Sequence, residues 1–231
     1  MLKKLLSLGA VLGTLVFSQA AHATTLTSSI AGMLGQNVKS YYNNGVSSFN
    51  GWTGQQNNGV TAGPSGYPSS FVGYCVDIEH SFINGETVSL KNTSLLTKNG
   101  NLPNTGYRVA WLYNTYSSSV SNNVQAAGLQ AAIWEALYDS SMDLTGGFYK
   151  LDATEVAVIG QTNIYLGALQ TAIGNGSYLS SNATWFDTGG LGQDIVGPTQ
   201  SQVPEPGLMS LLASGSVSGL WMLRRRKAQI R

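Results

Sequence analysis

The sequence is short of charge, of cysteine and of histidine, and each shortage removes a class of function. Charged residues make up 10% of the 231 positions, against about 25% in an ordinary soluble chain. The single cysteine, Cys75, cannot build a disulfide framework within one chain or a multi-cysteine metal site. There are two histidines, His22 and His80. His22 lies in a leader-like start, so a Ser-His-Asp site would have to use His80. The formal net charge of +1 hides a division. Lys3 and Lys4 at the front, and Arg224, Arg225, Arg226, Lys227 and Arg231 at the back, are seven of the twelve basic residues. The stretch between them holds five basic against eleven acidic residues, a net of −6. A nucleic-acid binder needs a basic face, so nucleic acid is not an expected partner.

Both ends read as addresses. Residues 1–23 have the pattern of a secretory signal peptide: Lys3 and Lys4, an uncharged run from Leu5 to Phe17, and Ala21-His22-Ala23, the small-x-small site that signal peptidase cuts. The apolar run is too short for a membrane span, which needs about 20 residues. Cleavage after Ala23 would remove His22 and leave His80 alone. At the other end, residues 203–231 hold Pro204-Glu205-Pro206, then an uncharged stretch from Gly207 to Leu223, then Arg224, Arg225 and Arg226. On composition alone this is a marginal membrane anchor with a basic stop. The three-part order resembles the PEP-CTERM sorting signal of Gram-negative bacteria. That resemblance implies transient inner-membrane anchoring through residues 207–223 and cleavage by an exosortase near Pro204-Glu205-Pro206. Release to the cell surface or the extracellular polysaccharide would follow.

Residues 24–200 remain as one domain with a real core. The Asn-, Gly-, Ser- and Gln-rich stretch 40–70, with turn chemistry at 63–66, predicts long loops between short strands, pinned by Tyr41, Tyr42, Phe49, Trp52 and Tyr67. Period-2 alternation predicts a half-buried strand from Ser69 to Ile78, with Cys75 on the face opposite Val72 and Tyr74. A second strand is expected over Glu86–Leu90 and short ones at Trp185–Phe186 and Asp194–Val196. Helical spacing predicts Thr105–Tyr116, a helix from Ser121 to about Tyr138, and one from Asp152 to about Gly174 opened by an Asp152/Glu155 capping pair. The expected class is α+β: a small antiparallel sheet or sandwich with an inserted helical subdomain and, at the C-terminus, a hydrophobic helix.

On the Ser121 helix, Leu129, Ile133 and Leu137 form one stripe at about 100° per residue. Glu135, Asp139 and Gln125 fall on the other side, and Gln130 falls within the apolar stripe. A buried carboxamide there needs hydrogen bonds or a covalent fate, since leaving it bare costs roughly 1–3 kcal/mol. Taken singly, a lone strand cysteine is a small buried hydrophobe and such a glutamine is a core amide bonded to backbone. Taken together, Tyr74-Cys75-Val76-Asp77 and Leu129-Gln130-Ala131-Ala132-Ile133-Trp134 resemble the thioester domains of bacterial surface adhesins. The resemblance implies that Cys75 and Gln130 join as an internal thioester with loss of ammonia. An amine on a partner would then attack it, leaving an amide bond and a free thiol.

Other residues support weaker readings. His80 lies five positions after Cys75, and the pair would meet for cysteine-hydrolase chemistry only if a turn intervened. Asp77 and Glu79 read as a solvated edge. Asp187 and Asp194 around Gly189, Gly190 and Gly192 read as a glycine-rich turn, because their spacing does not fit a calcium loop. No metal or other cofactor is expected. The combined expectation is a non-enzymatic, exported surface or matrix protein. It carries either a thioester crosslink to an amine-bearing surface protein or polysaccharide, or a passive structural or adhesive body.

Overall fold

The computed structural model describes residues 24–63, 67–98 and 102–199. The leader with its Ala21/Ala23 site, the centre of the 63–66 turn, and the whole 203–231 tail lie outside them. In chain order the first strands are β1 (Thr24–Ser29), β2 (Gly35–Tyr42), β3 (Ser47–Gly54), β4 (Gln56–Thr61), β5 (Ser70–Cys75) and β6 (Glu86–Asn92). Then come helices α1 (Thr105–Tyr116) and α2 (Asn123–Tyr138), the short strand β7 (Lys150–Leu151) and helix α3 (Val156–Asn175). Strands β8 (Thr184–Asp187) and β9 (Ile195–Gly197) end the described chain.

The class is α+β, and the sheet is closed. Six antiparallel strands form a barrel in the order β1-β4-β5-β9-β8-β6, with β6 returning to β1. The inward faces of these strands supply a small core of Leu26, Phe71, Val88, Phe186 and Ile195, with Phe71 stacked on Phe186 at 4.8 Å. A separate three-stranded sheet, β3-β2-β7, lies outside it. The open sheet or sandwich expected from sequence is thus replaced by a barrel. Each short strand, including three-residue β9, spends its backbone donors on neighbours at both sides, which closure allows and an open edge does not.

The helices enter the chain between β6 and β8 and, with β2, β3 and β5, enclose the larger core. α2 is its axis, packed on α1, α3 and the β2–β3 sheet. Its start is built from side chains. Asn122 Oδ1 accepts from Gln125 N (2.9 Å), while Gln125 Oε1 accepts from Ser121 N (2.9 Å) and Ser121 Oγ (3.0 Å). Every residue from Ala126 to Tyr138 is buried, as expected of a helix apolar nearly all round. Burying Leu129, Ile133 and Leu137 alone contributes roughly 1.5–3 kcal/mol apiece. Two glycines set the spacing. A Cβ on Gly106 of α1 would lie 1.6 Å from Thr93 O, and one on Gly128 of α2 would lie 2.8 Å from Gln161 Cγ of α3.

Four expectations need correction. Residues 40–70 hold strands as expected, but longer ones and less loop: β2 and β3 have eight residues each and β4 has six. β2 and β3 form a hairpin through Asn43 and Asn44, both at positive φ (53° and 55°), the conformation that Asn tolerates and tight hairpins require. The third helix begins at Val156, four residues late. Glu155 does not complete a capping box there, because its carboxylate accepts from Lys39 N of β2 at 2.9 Å. Glu135 and Asp139, placed on the side away from the apolar stripe, are buried as well (0% and 8% exposed), since α2 has no solvent face after its first turn. Asp77 is no solvated edge either: it is 1% exposed.

Candidate functional site

β5 ends at Cys75, where the ladder on one side runs out of strand. Gln56 of β4 sits opposite Gly73, and continuing that register would set residue 54 against Cys75. Gly54 instead closes β3 opposite Gly35. Gln130, reaching in from α2, takes the vacant place. Its Oε1 accepts from Cys75 N at 2.9 Å and its Nε2 donates to Cys75 O at 2.7 Å. The carboxamide acts as one more peptide in the sheet. On the far side Cys75 faces Ile195 of β9, and Val76 N donates to Asp194 O at 2.9 Å. Cys75 and Gln130, the pair singled out by the sequence, are therefore in direct contact, and both are buried (2% and 1% exposed).

The chain then turns sharply, and the turn ties the sulfur to an imidazole. Cys75 Sγ donates to Asp77 O at 2.9 Å, and Asp77 N lies 3.3 Å from Sγ. The Asp77 carboxylate accepts from Glu79 N at 2.9 Å through Oδ1 and meets His80 Nδ1 at 2.9 Å through Oδ2. Lys98 Nζ bridges Asp77 Oδ2 (3.0 Å) and Asp194 Oδ2 (3.3 Å). Desolvation opposes the charge on Lys98, but the two carboxylates outweigh it and raise its pKa. Gln193 Nε2 holds the turn from outside, at 3.3 Å from both Asp77 O and His80 O, and Gln56 Nε2 in turn donates to Gln193 Oε1 at 3.0 Å.

A cavity of about 340 Å³ opens over this turn, within the range of small-ligand sites. Cys75, Gln130 and Trp134 form its inner part, Phe49 and Trp52 of β3 an apolar wall, and His80 a polar side. Trp134 lies one helical turn after Gln130 and is fixed edge-on against Phe49 (5.9 Å) and tilted against Tyr149 (5.6 Å). Burial pushes the Cys75 thiol well above its ordinary range, and the Asp77 N–H and the Trp134 indole beside the sulfur offset only part of that rise. A cysteine hydrolase needs the opposite, a thiol depressed towards thiolate.

No family model, curated protein or solved structure matches the chain. The chemistry must therefore be read from the side chains themselves. Among the described residues no cluster of three or more His, Cys, Asp or Glu is grouped to hold a metal ion. Asp187 is engaged by Lys91 and by Gly189 N, and Asp194 by Thr188 N and Thr188 Oγ1, both at 2.9 Å. Gly189 and Gly190 at φ 70° and 82° make the segment the glycine-rich turn expected. Among the described residues no helix is long and apolar enough to cross a membrane. Residues 207–223, Pro204-Glu205-Pro206, and Arg224 to Arg226 lie outside them.

Sequence reasoning missed the Asp77–His80 pair. Five-residue spacing along a strand separates Cys75 from His80, and only the end of β5 at Cys75 allows the turn that brings them to one cavity. The signal available was Asp77 itself, a carboxylate on the strand's tail between Val76 and Ile78 with His80 three residues on. The aromatic wall from β3 was lost with the strand that carries it.

Proposed function

We propose that the chain is an exported surface or matrix protein whose domain forms a thioester between Cys75 Sγ and Gln130 Cδ and uses it to attach covalently to a partner's amine. One observation carries the reading. The carboxamide of Gln130 is held by two hydrogen bonds on the backbone of the chain's one cysteine, at the inner end of a cavity. Thiol and carboxamide would condense with loss of ammonia. The buried acyl carbon would be shielded from water until an amine on a narrow stem entered past Phe49 and Trp52. Partners of this chemistry are lysine-bearing surface proteins and amine-bearing polysaccharides. The leader and the Pro-Glu-Pro tail support delivery to the surface through signal peptidase and an exosortase.

A second reading rests on the same hydrogen bonds. Both polar atoms of Gln130 are already satisfied by Cys75, which suffices for a passive structural or adhesive domain. Intact mass separates the two. A thioester makes the mature protein lighter than its sequence by about 17 Da, the mass of the expelled ammonia. The deficit should vanish in Cys75→Ala, and methylamine should restore mass at Gln130 while freeing one thiol. A wild-type mass equal to the sequence, with Cys75 labelled by thiol reagents after unfolding but before any amine, returns the protein to the passive reading.

A further inference from the structure

The turn after β5 does more than bend the chain. Asp77 alone touches both halves of the site: its backbone holds Cys75 Sγ (2.9 and 3.3 Å) and its carboxylate holds His80 Nδ1 (2.9 Å). An ionised carboxylate only accepts hydrogen bonds, so Nδ1 carries the proton of the neutral ring and Nε2 is left as a bare acceptor. The ring lines the cavity that holds Cys75 and Gln130, and its side chain is 41% exposed, so the acceptor is reachable. Asp77 is 1% exposed and locked by Glu79 N and Lys98, so the ring is oriented by a group that cannot swing away. Gln193 pins the carbonyls of Asp77 and His80 together.

We propose that His80 is the proton acceptor for the amine that opens the Cys75–Gln130 thioester, with Asp77 as its positioning residue; this rests on the thioester reading above. The amine lone pair attacks Gln130 Cδ and a C–N bond forms. The C–S bond breaks and its electron pair stays on Cys75 Sγ. The proton lost by the amine nitrogen passes to His80 Nε2 and from there to the thiolate, giving an amide and a neutral thiol with no net change in oxidation state or charge. The relay is needed because both ends of the reaction are poorly solvated: a bare thiolate is a bad leaving group where burial already disfavours it, and an attacking nitrogen that keeps its extra proton simply departs again. The other charged groups around the ring come from three segments: Glu79 beside it, Glu86 at the start of β6, and the Lys98–Asp194 pair behind Asp77. Lys98 does not replace it as base, being held protonated by its two carboxylates; Asp77 and Asp194 are engaged by that lysine, and Glu86 does not line the cavity.

The test is methylamine uptake by the mature protein, followed by intact mass, in wild type and His80→Gln. A group exposed to this degree tolerates the substitution, and retention of the 17 Da deficit, about the mass of one ammonia, certifies that the variant folds and forms its bond. The expected result is a deficit retained and uptake slowed by about 10²-fold or more, the scale of lost acid–base catalysis. The ratio of wild-type to variant rates cancels the titration of the amine. Added imidazole should recover part of the variant's rate. Equal rates in the two proteins at all pH values overturn the proposal. So does a folded His80→Gln protein with no deficit, since His80 would then make the bond rather than open it. A wild-type protein with no deficit sinks the thioester reading itself, and that outcome is visible before any variant is made.

Discussion

Replacing Glu135 with glutamine should stabilise the protein, and only above mildly acidic pH. Glu135 lies on α2 with no solvent exposure, and neither carboxyl oxygen has a well-formed hydrogen bond. Burial first, and then the charge on Asp139, pushes its pKa from 4.5 to about 8. In the unfolded chain the group loses its proton near 4.5, while in the folded chain it keeps it until about 8. Between those values the folded state binds the extra proton, so stability falls as pH rises through the window and flattens above it. At about 1.4 kcal/mol per pH unit the full interval is worth roughly 5 kcal/mol. Relaxation and water entry reduce such buried costs, so about 2–4 kcal/mol is the working figure. Glutamine has the same shape and no charge to bury. Urea unfolding followed by tryptophan fluorescence at pH 4.5, 6.5 and 8.5 should show Glu135→Gln level with wild type at the first value. At the last it should be ahead by about 2–4 kcal/mol. Other titrations cancel in the difference because both proteins share them. A variant that tracks wild type at every pH would mean that Glu135 is solvated or paired in solution and that α2 is less tightly enclosed than described.

Other substitutions probe the scaffold around the site. Gly106→Ala places a methyl 1.6 Å from Thr93 O; α1 must shift, and a loss of about 3 kcal/mol or more in urea unfolding is expected, whereas a loss under 1 would show a loose α1. Asp139→Ala strands the N–H groups of Phe148 and Tyr149, each now held at 2.8 Å, for about 2–4 kcal/mol; amide exchange at those two residues should accelerate together. Gln130→Met keeps the volume but leaves Cys75 N–H and C=O unpaired, so a drop of about 2–4 kcal/mol is expected, measured against Cys75→Ala, which should cost only about 1 kcal/mol. If Gln130→Met is as stable as wild type, the ladder role of the carboxamide is wrong.

Much of the helical half was legible. The bounds of α1 and the end of α2 stand as read, and Gln130 was placed in the buried stripe by spacing alone. Its contact with Cys75 was not: no periodicity says which strand a helix residue will meet, and the resemblance to thioester domains supplied that expectation. Polar strands were the main loss. β2 to β4 are built from Asn, Gly, Ser and Gln, whose composition argues for loops, and they are held by ladder bonds and by Phe49 packing on Trp134. Glu135 and Asp139 were misplaced because a helical wheel ranks faces against each other and cannot show that all of them are covered.

The order of staves in the barrel dictates when the site can exist. β9 and β8, the last strands among the described residues, lie between β5 and β6, two strands made more than a hundred positions earlier or nearly so. Without that hairpin the remaining order β5-β4-β1-β6 would be an open four-stranded sheet with Cys75 on its bare margin. Closing so long a loop is entropically slow. Asp194 and Gln193 arrive with this hairpin and bring the partners of Lys98, Asp77 and His80. The cavity is a product of completion: a truncated or half-made chain presents a cysteine and a glutamine, but not the walled and buttressed pair.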